Sequence, residues 1–146
     1  MIDQATADSL INMDKEFVNA KLIAMPMTNE ILSLNVKSKM TKDTFLLDIN
    51  RKGTFKLTRF TYQERYRTNI ILLRLDIDTK PHVNPNGEVI SPTHIHIYRE
   101  GYLDKWAYPL EGIYKIDNQN SLLQSFINFC KLCNIDNIPC IQDVIE

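Results

Sequence analysis

From Ile31 onward the apolar residues of this chain recur at every second position, after an opening segment in which they recur at helical spacing. That change of period constrains the fold most, because alternate side chains of a strand share a face whereas a helix buries positions three and four apart. The opening spacing of Leu10, Ile11, Phe17 and Val18, with Asp3 as N-cap, predicts a helix over residues 3–21. Pro26 then disfavours helix at the residue before it. Ile31–Val36 and Phe45–Asn50 read as strands, and Thr54–Tyr62 returns past the Arg51-Lys52-Gly53 turn, its strand centred on Phe55–Phe60. Ile70–Ile77 is the clearest strand: Ile71, Leu73, Leu75 and Ile77 share one face, and Leu72, Arg74 and Asp76 the other. Thr93–Arg99 and Lys105–Tyr108 follow, separated by the Glu100-Gly101 turn.

Helical spacing returns at Ser121–Cys133, with Asn120 as cap and Leu122, Leu123, Phe126, Phe129, Cys130 and Cys133 as the buried stripe. The expected architecture is α+β: an antiparallel meander sheet of five or six strands over residues 31–108, with an N-terminal and a C-terminal helix packed on one face. The 146 residues fit a single domain, long enough to bury a core without metal or disulfide staples.

A formal net charge of −1 excludes a protein that coats nucleic acid by bulk positive charge. The charge is uneven, however: Arg51, Lys52, Lys56, Arg59, Arg65 and Arg67 crowd residues 51–67 against Glu64 alone. No apolar leader follows Met1 and no run is long enough to span a bilayer, so a cytoplasmic protein without membrane contact is expected. Cys130, Cys133 and Cys140 are then expected as reduced thiols. Cys130-x-x-Cys133 has half the spacing of a zinc site, but it falls on the buried helical stripe and reads as core.

Polar chemistry concentrates between Pro81 and Lys105. His94, His96 and Tyr98 alternate with Ile95 and Ile97, which places the three polar rings on one strand face. Two histidines at this spacing suit a general acid and base pair or a shared metal, and equally an outward polar strand face. A metal needs further ligands, for which His82, Asp76, Glu100 and Asp104 are available. Pro81-His82-Val83-Asn84-Pro85-Asn86-Gly87 is a stiffened turn that folds His82 back towards the strand of His94 and His96. Arg65 and Arg67, interleaved with Tyr62 and Tyr66, suit phosphate contact and stacking, or a solvated strand end. Trp106 suits base stacking or core packing.

Several strings occur in fixed order: Leu46-Leu47-Asp48-Ile49-Asn50-Arg51-Lys52-Gly53, Thr61-Tyr62-Gln63-x-Arg65, Pro81-His82-x-Asn84-Pro85-x-Gly87, His94-x-His96-x-Tyr98-Arg99-Glu100-Gly101 and Lys105-Trp106-Ala107. With Leu73-Arg74-Leu75-Asp76 among them, they resemble a small bacterial and phage-borne family of unknown function, over residues 45–135. The resemblance implies a mobile-element or defence-associated setting, where nuclease toxins and inhibitors of host defence are common. The first expectation is therefore a metal-independent, ribonuclease-like toxin that uses no small-molecule cofactor. His94, His96 and His82 would move protons; Arg65, Arg67, Arg74 and Lys105 would hold phosphate; Tyr98 or Trp106 would stack a base. The expected partner is RNA, or a nuclease or antitoxin protein. The second expectation is a non-enzymatic binder, such as a phage- or plasmid-encoded inhibitor of a nuclease of the CRISPR type.

Overall fold

A computed structural model of the chain describes residues 1–53, 56–111 and 121–143. Its elements in order are α1 (Gln4–Asn12), β1 (Lys15–Phe17), β2 (Leu22–Ala24), β3 (Ile31–Ser38), β4 (Thr44–Asn50), β5 (Phe60–Tyr66) and β6 (Ile70–Ile77). They continue with β7 (His82–Val83), β8 (Val89–Ile90), β9 (His94–Ile97), β10 (Ala107–Pro109), α2 (Leu122–Leu132), β11 (Ile135–Asp136) and β12 (Cys140–Gln142). The fold is α+β with an N-terminal and a C-terminal helix, as the two periods predict.

The sheet departs from the expected five- or six-strand antiparallel meander. Among the described residues it has eight strands in the order β10-β9-β6-β5-β4-β3-β1-β11, and it is mixed because β11 joins β1 in parallel. β1 and β11 are three and two residues long, too short for an alternating pattern to register in sequence. The predicted first helix accordingly stops at Asn12 instead of running to residue 21. Met13 is extended, and Lys15–Phe17 pairs with Val36–Ser38, so sheet bonds satisfy backbone groups that a longer helix would have satisfied internally. The strand after the Gly53 turn also lies later than expected, at Phe60–Tyr66; Thr54 and Phe55 fall outside the described residues.

Helix α2 agrees with the expected Ser121–Cys133 to within one residue at each end. Its N-cap is Ser121, whose hydroxyl accepts from the Gln124 N–H at 3.2 Å; the predicted cap, Asn120, lies outside the described residues. Phe126 and Phe129 are fully buried against Tyr62, with ring centroids 6.1 and 5.6 Å away. Burial of such a side chain contributes about 1.5–3 kcal/mol. Cys130 and Cys133 are buried on the same helix, and burial pushes both thiols up. Among the described residues, no helix is long and apolar enough to cross a membrane.

The register of the sheet positions the polar residues. Leu75 aligns with Tyr62 on one side and Ile95 on the other, on the face that α2 covers. On the opposite face Arg74 aligns with Gln63 and His96, and Asp76 aligns with Thr61 and His94. Two polar rows thus cross the strands, and both end on β9.

Candidate functional site

The site is built where those rows meet the β7–β8 hairpin. The hairpin closes through the Gly87 N–H, which donates to Asn84 O at 2.8 Å, with Gly87 at φ 91°, a value open to glycine at little cost. Buried Asn84 then acts like a strand residue. Its Nδ2 donates to Ala107 O at 2.9 Å and its Oδ1 accepts from the Ala107 N–H at 2.8 Å. This clamps the hairpin over β9 and brings His82 beside the other two histidines, with ring centroids 4.6 Å from His96 and 5.8 Å from His94.

Alternation along β9 predicts that His94 and His96 face solvent or line a cleft. Each is 1% exposed, because the hairpin covers the face that strand geometry alone would leave open. Their nitrogens are directed in the same way. His94 Nδ1 lies 2.6 Å from Ser91 O and His96 Nδ1 lies 2.8 Å from Asp104 O. Both Nε2 atoms point at one carboxylate oxygen, Asp76 Oδ2, at 3.1 Å from His94 and 3.2 Å from His96. The other oxygen, Oδ1, accepts from the Thr61 hydroxyl at 2.9 Å and lies 3.4 Å from Arg74 Nε. Arg74 also reaches His96 Nε2 at 2.9 Å and Asp104 Oδ2 at 2.8 Å. Burial alone would push the Asp76 carboxyl up; bonds donated by the two imidazoles when their Nε2 atoms carry protons, together with the Arg74 charge, outweigh it and hold Asp76 well below the usual carboxylate range.

Asp76, His94 and His82 line an open depression of about 340 Å³ together with Arg59, Thr79, Lys80 and Pro81. Lys80 is exposed and Arg59 half-buried, its Nε donating to Asp78 O. The depression therefore combines a buried carboxylate and imidazoles on its floor with cations on its rim.

Of the residues singled out from sequence, His82, His94, His96 and Arg74 converge here. Lys105 contributes its carbonyl, which lies 2.8 Å from His82 Nε2, while its side chain is exposed. The others are placed elsewhere. Arg65 forms a two-pronged pair with buried Asp48, at 2.6 and 2.9 Å. Arg67 lies over the Tyr66 ring. Tyr98 is in the core, its hydroxyl donating to Ile2 O at 2.6 Å. Trp106 is half-buried between Arg99, 4.3 Å from its ring centre, and Tyr102.

A comparison with protein families places the chain. Residues 2–135 match the model of a family of unknown function, DUF6978. The chain belongs to this family. The match takes in every residue of the histidine centre and stops before β12. No curated protein matches the chain, and no solved structure does.

The key residue that sequence patterning ranked too low is Asp76, together with Arg59 and Lys80 on the rim. The signal for Asp76 was its spacing from Arg74, which repeats the spacing of His94 and His96. Only the antiparallel register turns the two pairs into neighbours.

Proposed function

We propose that the protein acts on RNA as a small ribonuclease-like enzyme, with the depression over Asp76, His82 and His94 as its site. The observation that supports this reading most is the meeting of all three imidazoles of the chain with a buried carboxylate at a depression rimmed by Arg59 and Lys80. Cleavage by the RNA itself requires removal of the 2′-hydroxyl proton, attack of that oxygen on phosphorus, rupture of the P–O5′ bond and proton delivery to the leaving oxygen. Cations must meanwhile stabilise the charge on phosphorus. His82 is the half-buried imidazole on the wall. In its neutral form Nε2–H donates to Lys105 O, which leaves Nδ1 as the basic nitrogen. Arg59 and Lys80 are placed to hold the phosphate. In a mobile-element or defence setting such an enzyme would act as a toxin.

The test is incubation of the purified protein with an end-labelled single-stranded oligoribonucleotide and with its DNA counterpart, which lacks the 2′-hydroxyl. Cleavage of RNA alone is expected, with His82→Ala slower by about 100-fold or more, the usual scale for loss of a general acid or base. RNA left intact by the wild type at equimolar protein would eliminate the reading.

One observation favours a second reading, a non-enzymatic binding protein such as an inhibitor of a nuclease. Val83 and Val89 pair across the hairpin next to His82 and are 61% and 66% exposed, an apolar pair suited to a protein partner. That reading predicts an inert wild type on RNA and lost partner binding in Val83→Asp.

A further inference from the structure

We propose that Asp76, His94 and His96 form a binding centre for one divalent first-row transition-metal ion such as zinc. This goes beyond the cleavage reading and stands whether or not RNA is the substrate. It replaces the metal-free use of His94 and His96 expected from sequence.

The proton positions carry the inference. Ser91 O and Asp104 O can only accept, so Nδ1 of each histidine bears a proton. In the neutral rings both Nε2 atoms are then lone pairs, and both face Asp76 Oδ2, itself an acceptor. Arg74 Nη2 meets the His96 lone pair, but His94 Nε2 and Asp76 Oδ2 then face each other as two acceptors 3.1 Å apart and repel unless a cation joins them. A ring nitrogen turned inward, with its partner N–H fixed by a backbone carbonyl, is the usual arrangement of metal-ligating histidine.

Distances and charge agree. Zinc bonds of about 2.0–2.1 Å in tetrahedral geometry put ligand atoms roughly 3.3–3.4 Å apart. The two Nε2–Oδ2 separations, 3.1 and 3.2 Å, match this spacing; the three ligand atoms lie within 4.8 Å of one another, so a shared ion draws the two Nε2 atoms closer together. In direct contact, Asp76 and Asp104 share one guanidinium, Arg74, which leaves one negative charge among these contacts for a metal ion to offset. An entering ion displaces the Arg74 Nη2 contact with His96, while the Nη1 bond to Asp104 remains available. Two imidazoles with one carboxylate select zinc or a neighbouring transition ion over calcium or magnesium, which prefer all-oxygen shells. The depression lined by Asp76 and His94 gives access from solvent.

The arrangement that closes the same contacts without metal is a pair of doubly protonated rings, so the experiment reads the ring nitrogens directly. Chelator-treated wild-type protein, labelled with ¹⁵N in histidine, is titrated with zinc chloride by calorimetry and by long-range ¹H–¹⁵N correlation. Saturation at one equivalent is expected, with the Nε2 signals of His94 and His96 moving on binding. Asp76→Asn, folded by circular dichroism, should bind about 100-fold more weakly or worse, beyond the 10–100-fold typical of losing an outer partner. Absence of saturable binding overturns the proposal, as does binding that leaves both Nε2 signals in place. If Asp76→Asn does not fold, the wild-type signals alone decide. Zinc binding without RNA cleavage sinks only the nuclease reading; cleavage by protein that binds no zinc sinks only this one.

Discussion

Lys15 and Glu64 are both 0% exposed, with Nζ 3.2 Å from Oε2, and Lys15 also donates to Ile11 O at 2.9 Å and Cys133 O at 2.8 Å. One ammonium thus joins the carboxyl of β5 to the C-terminal ends of both helices. Removal of one charge leaves the other buried without compensation, so Lys15→Met should lower unfolding free energy by about 3–5 kcal/mol in a urea titration run above the Glu64 value of about 7, where the carboxyl is ionised. Lys15→Met with Glu64→Leu should recover most of that. Burial, opposed by Lys15, pushes the Glu64 carboxyl up from 4.5 to about 7. Between those values the folded chain holds a proton that the unfolded chain has lost. This contribution to stability is full below pH 4.5 and is lost as the pH rises through about 7. The urea midpoint should therefore fall between pH 5 and 8, and Glu64→Gln should flatten the fall. The depressed carboxyls of Asp48 and Asp76 act below the ordinary 3.8, outside this window. Nothing in residues 14–18 marks Lys15 as buried, because a lysine in an amphipathic stretch ordinarily reads as surface.

The β7–β8 hairpin is the element that turns a polar strand face into a site. Its hold on β10 is the Asn84 amide, which gives one donor and one acceptor to Ala107. Asn84→Ala strands both backbone groups and should cost about 2 kcal/mol or more. Amide exchange at Ala107 should accelerate well ahead of exchange in β5 and β6, and only a uniform change across the sheet would contradict local release of the hairpin. The turn itself was legible, since Asn86-Gly87 tolerates positive φ and prolines stiffen its flank. Its docking partner was not. A side-chain amide that imitates a strand has no period and no spacing, and its role exists only once β10 lies alongside.

Across the whole molecule, the C-terminal segment ties down the N-terminal one. Ile135 and Asp136 extend the sheet in parallel beside Lys15 and Glu16, and Cys140–Gln142 pairs in parallel with Leu22–Ala24. Ile23 and Ile135 are core residues there, 1% and 3% exposed. A chain ending at Cys133 should lose cooperative urea unfolding and elute as aggregate, because it bares the edge of β1, uncovers Ile23 and removes Ile135 from the core. A monomer with an unchanged midpoint would show that this clasp adds nothing. The sequence by itself determined the antiparallel centre of the sheet and α2, because eight alternating residues or eleven helically spaced ones carry their period locally. It also determined that His82, His94 and His96 share a neighbourhood, since a strand and a signalled turn suffice for that. Only the tertiary structure decided that Asp76 belongs with them and that Arg65 and Tyr98 do not. It alone buried the two strand histidines and closed the sheet with two- and three-residue strands. Those outcomes depend on register and on pairing between distant segments, whose hydrogen bonds are made by the backbone and so leave little trace in side-chain pattern.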